Sequence, residues 1–235
     1  MLTALLDIFF PSVCAVCEKD IAEGPLCETC SVAFDSKKIR SPLCLKCGDP
    51  FISIEGSDRT CGKCLTAKIP FNVARSGFIY DGAVAESIHR FKYNGKVILA
   101  YPLGALMASC AEALQLKPDV VVPVPLHIER LKARGFNQSL MLAKILAKRL
   151  GVKTDCSNLK RTRPTLPQIG LKHEERAENV AGAFKVINSL AFKNKNILLI
   201  DDVLTTGATI RECAKTLKKA GAEVNILTLA RAVKS

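Results

Sequence analysis

The chain has 235 residues, enough for one medium α/β domain and a small second unit. Its formal net charge is +12 at pH 7, and this charge is divided unevenly. Residues 1–68 contain 8 Lys or Arg against 9 Asp or Glu, whereas residues 69–235 contain 26 against 13. No apolar run approaches the roughly 18 residues that cross a bilayer, which argues against an integral membrane protein. We therefore predict two domains, at 1–68 and 69–235, and no membrane span.

The apolar run at residues 1–10 is predicted to form a short helix that packs on the domains. A signal peptide is the alternative, but the run lacks a basic start, contains Asp7 and has no small-residue cleavage pattern before Cys14. With no export signal, we expect a cytoplasmic protein. In that reducing compartment, paired cysteines are more often metal ligands than disulfides.

Eight of the 11 cysteines lie before residue 65, in four Cys-x-x-Cys pairs separated by gaps of 9, 13 and 13 residues. Each pair presents two thiolates at the spacing that a tetrahedral Zn2+ accepts, and two pairs complete a closed four-sulfur site. We predict two structural Zn2+ ions with sequential ligation, because eight sulfurs leave no open position for water. The predicted ligands are Cys14, Cys17, Cys27 and Cys30 at one ion, and Cys44, Cys47, Cys61 and Cys64 at the other. Interleaved ligation, disulfide or redox use, and an iron–sulfur cluster remain alternatives.

Two glycines follow cysteines of the second predicted site. Gly48 and Gly62 come directly after Cys47 and Cys61, and both are predicted to occupy tight turns with positive φ. So small a segment has few large apolar residues, and its fold is therefore expected to depend on the metal.

Residues 69 to about 115 are expected to form a hood or a flexible lead-in to the second domain. The stretch at 126–176 is basic, with 12 Lys or Arg against 4 Asp or Glu. It is predicted to contain a loop at 131–137, a helix at Gln138–Leu150 with an apolar face, and an irregular basic tract at 160–164.

Three interpretations compete for the positive charge. The candidate anion-binding residues are Arg130, Lys132, Arg134 and Lys92. They can neutralise the pyrophosphate of a ligand, because charge-assisted hydrogen bonds to phosphate are strong. They can also follow a nucleic-acid backbone, with an affinity that falls as salt rises. A solvated cationic surface is the third interpretation.

Few aromatic side chains are available to stack on bases. Phe91, Tyr93 and Phe136 each lie within two residues of a Lys or Arg. These three are candidates for base stacking, and packing in the core is the alternative for each.

Residues 196–200 are uniformly apolar and β-favouring, as expected of a central parallel strand covered on both faces. The run ends at Asp201 and Asp202, and a turn rich in hydroxyl groups follows. Apolar residues at helical spacing then predict a helix that begins near Thr209 and stops at Gly221. A strand at 224–230 completes a βαβ unit.

The turn has the chemistry of a sugar-phosphate site. A helix that begins near Thr209 presents free backbone N–H groups and the positive end of its dipole to an anion. Hydroxyls can donate to phosphate oxygens, while two carboxylates can accept from ribose hydroxyls or from waters on Mg2+. The predicted phosphoribosyl-binding residues are Asp201, Asp202, Thr205, Thr206, Gly207, Ala208 and Thr209. The segment lacks the Gly-Lys-Ser/Thr end of a nucleoside triphosphate P-loop.

Residues 197–209 resemble the signature of type I phosphoribosyltransferases. The wider pattern resembles the ComF family of competence-associated proteins, in which a double zinc ribbon precedes a phosphoribosyltransferase-like domain. The resemblance also covers residues 5–11, Phe-Lys-Tyr-Asn-Gly at 91–95, Val-Pro-Val-Pro at 122–125, Arg-Gly-Phe-Asn-Gln at 134–138, and 176–184. It implies an α/β, type I phosphoribosyltransferase-like fold with a mostly parallel sheet, and a pyrophosphate cradle at 120–125.

The same resemblance implies a function in DNA uptake. The protein is expected to handle incoming single-stranded DNA in the cytoplasm and to bind phosphoribosyl pyrophosphate or a nucleotide. Other DNA-uptake or recombination proteins are expected partners. Two alternatives stay open: an active phosphoribosyltransferase of nucleotide metabolism that uses phosphoribosyl pyrophosphate with Mg2+, and a ligand-sensing regulator that has lost the chemistry. No motif identifies the acceptor, whether a base or an amine, so the sequence leaves turnover open.

Overall fold

The computed structural model describes residues 14, 16–22, 26–53, 55–165 and 173–233. The helix predicted at 1–10 and the resembling segment at 5–11 lie outside these residues. The cysteine-rich part contains helices α1 (Glu28–Ser36) and α2 (Gly62–Thr66). Every helix within the described residues falls short of the length and apolar composition that a membrane span requires.

The rest of the described chain is an α/β domain. Its strands are β1 (Val73–Ile79), β2 (Val120–Pro123), β3 (Lys153–Thr154), β4 (Leu159–Arg161), β5 (Phe184–Val186), β6 (Asn196–Leu204) and β7 (Glu223–Arg231). Its α-helices are α3 (Gly82–Tyr93), α4 (Ala100–Ala113), α5 (Ile128–Arg134), α6 (Gln138–Leu150), α7 (His173–Val180) and α8 (Ala208–Lys219). Short 3-10 helices lie at Val97–Leu99 and Ser189–Ala191.

A five-stranded parallel sheet in the order β1-β7-β6-β2-β3 forms the centre of this domain. Residues 197–200 of β6 are at most 1% exposed and pair with β2 on one side and β7 on the other. The predicted central strand is thus confirmed. It continues to Leu204 rather than ending at Asp201, because Asp201 and Leu204 stay in register with Thr228 and Arg231 of β7. Both acidic residues therefore lie within the carboxyl end of the strand.

Helices cover the two faces of the sheet. On one face, α4 packs on α6 so closely that a Cβ added at Gly104 would lie 2.9 Å from the side chain of Ile145. On the other face, α8 buries Ile210, Cys213 and Leu217, which recur at the predicted helical spacing. The fold is therefore an α/β sandwich whose parallel strands all end on one side.

Residues 69–115 belong to the α/β domain, so the expectation of a hood or flexible lead-in was wrong. Strand β1 pairs with β7 in parallel and forms one edge of the sheet, and helices α3 and α4 follow it. Ala74 and Phe78 of β1 are buried. The strand was hard to recognise because Arg75, Ser76 and Gly77 interrupt its apolar pattern.

For the basic stretch, one prediction was also wrong, a second holds in part and a third is confirmed. Most of the predicted loop at 131–137 is helix α5, whose N-cap His127 accepts from the Glu129 N–H and which ends at Gly135 with φ +82°. In the tract at 160–164, residues 160 and 161 belong to β4, which pairs with β5 in a two-stranded antiparallel sheet, whereas residues 162–164 are irregular as predicted. Helix α6 has the predicted bounds.

The cysteine-rich part covers the outer edge of β1. The Ile39 N–H donates to the Gly77 carbonyl at 3.0 Å, and the Ile79 N–H donates to the Lys37 carbonyl at 2.7 Å. An uncovered edge strand would present unpaired backbone groups. These bonds therefore attach the cysteine-rich part to the main sheet.

Candidate functional site

The eight predicted cysteine ligands form two groups. Within each group the four Sγ atoms lie within 4.8 Å of one another, and the groups are Cys14, Cys17, Cys27 and Cys30, and Cys44, Cys47, Cys61 and Cys64. The Sγ atoms of Cys17 and Cys27 are 3.5 Å apart, and those of Cys47 and Cys61 are 3.9 Å apart. Zn–S bonds in a tetrahedron place sulfurs about 3.8 Å apart. The donor sets therefore fit two closed structural zinc sites with the predicted sequential ligation.

Backbone N–H groups donate hydrogen bonds to cysteine sulfurs in both groups. The Sγ atom of Cys44 lies 3.4 Å from the N–H nitrogen of Cys47 and 3.3 Å from that of Cys61. The Sγ atom of Cys27 accepts from the Cys30 N–H at 3.5 Å. Such bonds favour the thiolate, which is the form that binds zinc.

The two glycines beside the second metal group differ. Gly48 has the predicted positive φ, +68°, and a Cβ there would lie 2.5 Å from the carbonyl oxygen of Ala74. Gly62 is instead the first residue of α2, so the prediction of a positive φ at Gly62 was wrong. Of these two glycines, Gly48 is the one where both backbone conformation and space require glycine.

The Cys-x-x-Cys turns at 14–17 and 44–47 are here called the first and second metal loops. Arginines of the α/β domain donate to backbone carbonyls of both loops. The Nη1 atom of Arg231, at the end of β7, donates to the Cys47 carbonyl at 2.6 Å. The guanidinium of Arg90 in α3 donates to the Val16 carbonyl. The metal loops are thus fixed to elements of the main domain.

A cleft of about 960 Å³ opens at the carboxyl ends of β2 and β6. Open α/β sheets commonly bind ligands at this edge. The predicted ligand residues that line it are Asp201, Asp202, Thr205, Gly207, Ala208, Thr209, Arg130, Arg134 and Lys92. Thr206 and Lys132 are not among its lining residues, and Lys132 is exposed on α5. One cleft therefore brings together most of the residues predicted to bind an anion and a pentose.

The loop between β6 and α8 forms one end of the cleft. Gly207 is the N-cap of α8 and has φ +78°, in the left-handed region. A Cβ there would contact nothing nearer than 3.5 Å, so the backbone conformation rather than space requires glycine. The Thr206 Oγ1 atom accepts from the Ala208 N–H at 3.4 Å. The helix, which begins one residue earlier than predicted, has its positive end at the cleft.

Two carboxylates lie directly before this loop. The Ser139 hydroxyl donates to Asp201 Oδ1 at 2.7 Å, which fixes that carboxylate from α6. The Asp202 side chain is only 4% exposed and forms an ion pair with the ammonium of Lys92, whose side chain is 18% exposed. A buried carboxylate and a partly buried ammonium are thus brought together from β6 and α3.

Asp201 and Asp202 are here called the acid pair. Their electrostatics favour one retained proton, on Asp201. Burial and the neighbouring charge of Asp202 raise the pKa of Asp201 to about 7. Burial alone would lower the pKa of Lys92, but the attraction of Asp202 outweighs it, and the pKa of Lys92 is raised. Lys92 is therefore an ammonium at neutral pH, and Asp201 changes charge near neutrality.

Three arginines line the cleft near the acid pair. Arg134 lies 5.1 Å from the Tyr93 ring centre and donates to Gln138 Oε1 at 2.5 Å. Arg130 donates to the Thr165 carbonyl at 3.2 Å. Arg161 is only 9% exposed, and its Nε atom has no hydrogen-bond partner among the described residues. Burial lowers the pKa of Arg161, but a guanidinium stays charged in any such setting.

Sequence reasoning missed Arg161 and Ser139 as members of this site. Arg161 was noted only as part of a basic tract, although the buried–exposed–buried pattern of β4 turns it inward with Leu159. Ser139 gave no signal, because its partner Asp201 lies 62 residues away. Both contacts depend on the tertiary fold.

The three aromatic candidates for stacking separate in the structure. Phe91 is fully buried in the core, so its candidacy was wrong. Tyr93 is 56% exposed and lines the cleft. Phe136 is partly buried, lines the cleft and lies 5.5 Å from Phe91 between ring centres. Tyr93 and Phe136 thus remain available to a ligand.

Two family models match the chain. A double zinc ribbon domain matches residues 5–65, and a phosphoribosyl transferase domain matches residues 99–234. The second match covers more than half of the chain. Together they correspond to the two metal groups and the parallel α/β domain described above.

Relatives resemble the chain over most of its length. The DNA utilization protein YhgH of Escherichia coli (strain K12) is 33% identical over 220 residues, which cover 90% of this chain and 93% of that protein. Competence protein F of Haemophilus influenzae is 31% identical over 234 residues, or 95% and 99% of the two chains. Competence protein ComFC of Bacillus subtilis is 30% identical over 210 residues, or 83% and 80%. The chain therefore belongs to the ComF family, with a double zinc ribbon joined to a phosphoribosyl transferase domain.

Proposed function

We propose that the cleft binds phosphoribosyl pyrophosphate or the ribose phosphate of a nucleotide. The observation that carries this proposal is the placement of an acid pair and a helix N-terminus within residues 201–209 on one wall of one cleft. A phosphate at the start of α8 would leave the pentose hydroxyls near Asp201 and Asp202. Arg130 and Arg161 would supply positive charge for a second phosphate.

The binding proposal is tested by calorimetric titration of the zinc-loaded full chain with phosphoribosyl pyrophosphate. The double variant Asp201→Asn with Asp202→Asn keeps the side-chain volumes and removes both charges, and it should lose binding while circular dichroism shows an intact fold. Glu223→Gln is the matched control, because Glu223 is exposed at the amino end of β7. A double variant that binds as tightly as the unmodified protein would show that the pentose site is elsewhere.

At the level of the cell, we propose a competence-associated protein that handles incoming single-stranded DNA in the cytoplasm. Two of the relatives are named competence proteins and one is named a DNA utilization protein. The basic excess of the chain lies in residues 69–235. At the cleft, the exposed Tyr93 ring with Arg134 beside it offers the aromatic and cationic surfaces that single strands use.

The DNA proposal is tested by fluorescence anisotropy with a labelled oligothymidylate at 50 to 200 mM salt. The affinity should fall as salt rises, since each phosphate contact releases counterions. Tyr93→Leu and Arg134→Met should each weaken binding, whereas Lys195→Met, an exposed change at the amino end of β6, should not. Binding that is absent, or unchanged across the salt series, would contradict the proposal.

An active phosphoribosyltransferase is the second candidate function. The cleft continues past the loop between β6 and α8 to the rings of Tyr80, Tyr93 and Phe136, which could hold a base. This extension is the observation that favours an enzyme. Pyrophosphate release across a panel of bases and amines is the measurement. If the protein binds phosphoribosyl pyrophosphate but releases none with any acceptor, the enzyme hypothesis fails and a binding or sensing role stands.

A further inference from the structure

The ammonium of Lys92 lies against one carboxylate of the acid pair. Lys92 is in the last turn of α3, Asp202 is at the end of β6, and their ion pair is nearly buried, with side chains 18% and 4% exposed. Removing either partner would leave an uncompensated charge away from water, which strongly disfavours separation of the pair. The ion pair therefore holds the lysine in this wall of the cleft.

The family resemblance implies Mg2+ with phosphoribosyl pyrophosphate, and the donor set can be tested against that ion. Mg2+ requires near-octahedral oxygen coordination at about 2.0–2.1 Å and usually keeps several waters. Asp202 already contacts an ammonium, and Asp201 Oδ1 already accepts from the Ser139 hydroxyl. The acid pair therefore fits the ammonium of Lys92 as its cation better than a hydrated divalent ion.

We propose that Lys92 serves as the fixed counter-cation of the acid pair, so that the cleft binds its phosphoribosyl ligand without a divalent metal. Lys92 holds Asp202 in place, and the remaining carboxylate oxygens accept from the pentose hydroxyls. The pyrophosphate charge is met by Arg130, Arg134 and Arg161 in place of a metal. This inference rests on the proposed phosphoribosyl binding and specifies its ion requirement.

The three arginines that line the cleft can balance the charge of a pyrophosphate without a metal. Three guanidiniums line the same cleft, and the Nε atom of Arg161 has no hydrogen-bond partner among the described residues. A guanidinium offers paired donors to phosphate oxygens, which is the charge neutralisation that a metal would otherwise supply. Lys92 thus acts as a positioning residue for Asp202, and the arginines act on the ligand.

The test compares binding with and without Mg2+. The zinc-loaded full chain is titrated calorimetrically with phosphoribosyl pyrophosphate in buffer cleared of divalent ions by a resin, because a soluble chelator would also remove zinc. The same titration is repeated with millimolar Mg2+. Ribose 5-phosphate is the second probe, since it lacks the pyrophosphate that itself binds Mg2+. For the unmodified protein, both dissociation constants should change by less than about threefold between buffers.

Variants of Lys92 distinguish a requirement for the lysine from a requirement for the metal. Lys92→Met should weaken binding of both probes by at least about tenfold in metal-free buffer, and Lys92→Arg, which keeps the charge, should recover part of the loss. Lys195→Met is the matched control and should bind normally. Thermal melting checks the fold of each variant, and the comparison of buffers on the unmodified protein needs no variant.

Three results would overturn the inference. A tenfold or greater loss of affinity in the unmodified protein on removing Mg2+ would show that the site needs the metal, while phosphoribosyl binding itself would stand. A folded Lys92→Met variant with normal affinity would show that the ammonium has no part in binding. Failure of both probes to bind in either buffer would remove the proposed ligand as well.

Discussion

Arg90 and Lys92 lie two residues apart on α3. Arg90 bonds to the first metal loop, whereas Lys92 pairs with Asp202 in the cleft. Residues with this spacing point to opposite sides of a helix. Arg90 donates to the Val16 carbonyl and pairs with Glu18. The end of α3 is therefore held by the metal loop on one side and supplies the cleft with its ammonium on the other.

Arg90→Met should weaken ligand binding from a distance. The change removes the bond to the Val16 carbonyl and the pair with Glu18, so the end of α3 becomes more mobile and Lys92 holds Asp202 less firmly. We expect phosphoribosyl pyrophosphate affinity to fall by about threefold to tenfold, and the free energy of unfolding to fall by about 1 kcal/mol. Calorimetry and denaturant unfolding measure the two effects.

The control for Arg90 is Arg40→Met, which removes an exposed pair with Asp35. Exposed pairs stabilise little, so both measurements should stay unchanged. Arg90→Lys retains the charge but not the forked donor, and it should give an intermediate affinity. Full affinity in a folded Arg90→Met variant would show that the metal loop does not position Lys92.

Zinc removal should uncover the edge of β1 as well as unfold residues 14–64. The Ala74 N–H donates to the Lys46 carbonyl at 2.8 Å, and the Ile79 N–H donates to the Lys37 carbonyl at 2.7 Å. Both acceptors belong to the cysteine-rich part, whose fold is expected to depend on the metal. Chelation should therefore increase hydrogen exchange at the Ala74 and Ile79 amides. Unchanged exchange and unchanged melting after verified zinc loss would contradict this prediction.

Cys156→Ser is the control for the metal prediction. Cys156 is an exposed cysteine outside both groups of ligands. The variant should bind two equivalents of zinc and melt like the unmodified protein. Cys44→Ser should instead lose one equivalent, because Cys44 is a buried member of the second group.

Local signals in the sequence predicted the parts of the site that are continuous in the chain. The apolar run at 197–200, the turn at Gly207 and the cysteine pairs each carry their own chemistry within a few residues. The ion pair of Lys92 with Asp202 joins residues 110 positions apart, and no local pattern announces it. Strand β1 was missed for a related reason, since its strand character depends on pairing with β7 rather than on its own composition.

Asp201→Asn should change how stability depends on pH. The pKa of Asp201 is about 7 in the folded chain, raised by burial and by Asp202, whereas an unfolded Asp titrates near 3.9. Between these values the unfolded chain has lost the proton that the folded chain retains, so raising the pH favours unfolding. This contribution disappears below about pH 4 and reaches its full size above pH 7.

The variant should therefore be more stable than the unmodified protein at pH 8, by about 1–2 kcal/mol after allowance for solvent screening. At pH 5 most of this difference should be gone. Denaturant unfolding at intervals from pH 5 to 8 measures it, and more acidic conditions are avoided because protonated cysteines release zinc. A difference that stays constant over this range would show that Asp201 has an ordinary pKa.

Arg161→Met should have opposite effects on stability and on binding. Arg161 is buried, and although its Nη2 atom donates to the Thr165 hydroxyl, its Nε atom has no hydrogen-bond partner among the described residues, so the folded chain bears the cost of burying part of a charge. Methionine fills a similar space next to Phe184 without that cost, and unfolding free energy should rise by about 1 kcal/mol. Phosphoribosyl pyrophosphate affinity should fall by about tenfold or more, since a phosphate donor is lost.

Arg163→Met provides the contrast. Its guanidinium donates to the carbonyls of Asn179 and Ala181 at 3.1 and 2.7 Å, so its removal should lower stability. Ligand affinity should change little, because Arg163 is not among the residues that line the cleft. If Arg161→Met instead destabilised the chain and left affinity intact, the buried guanidinium would be structural, and the positive charge for the ligand would have to come from Arg130 and Arg134.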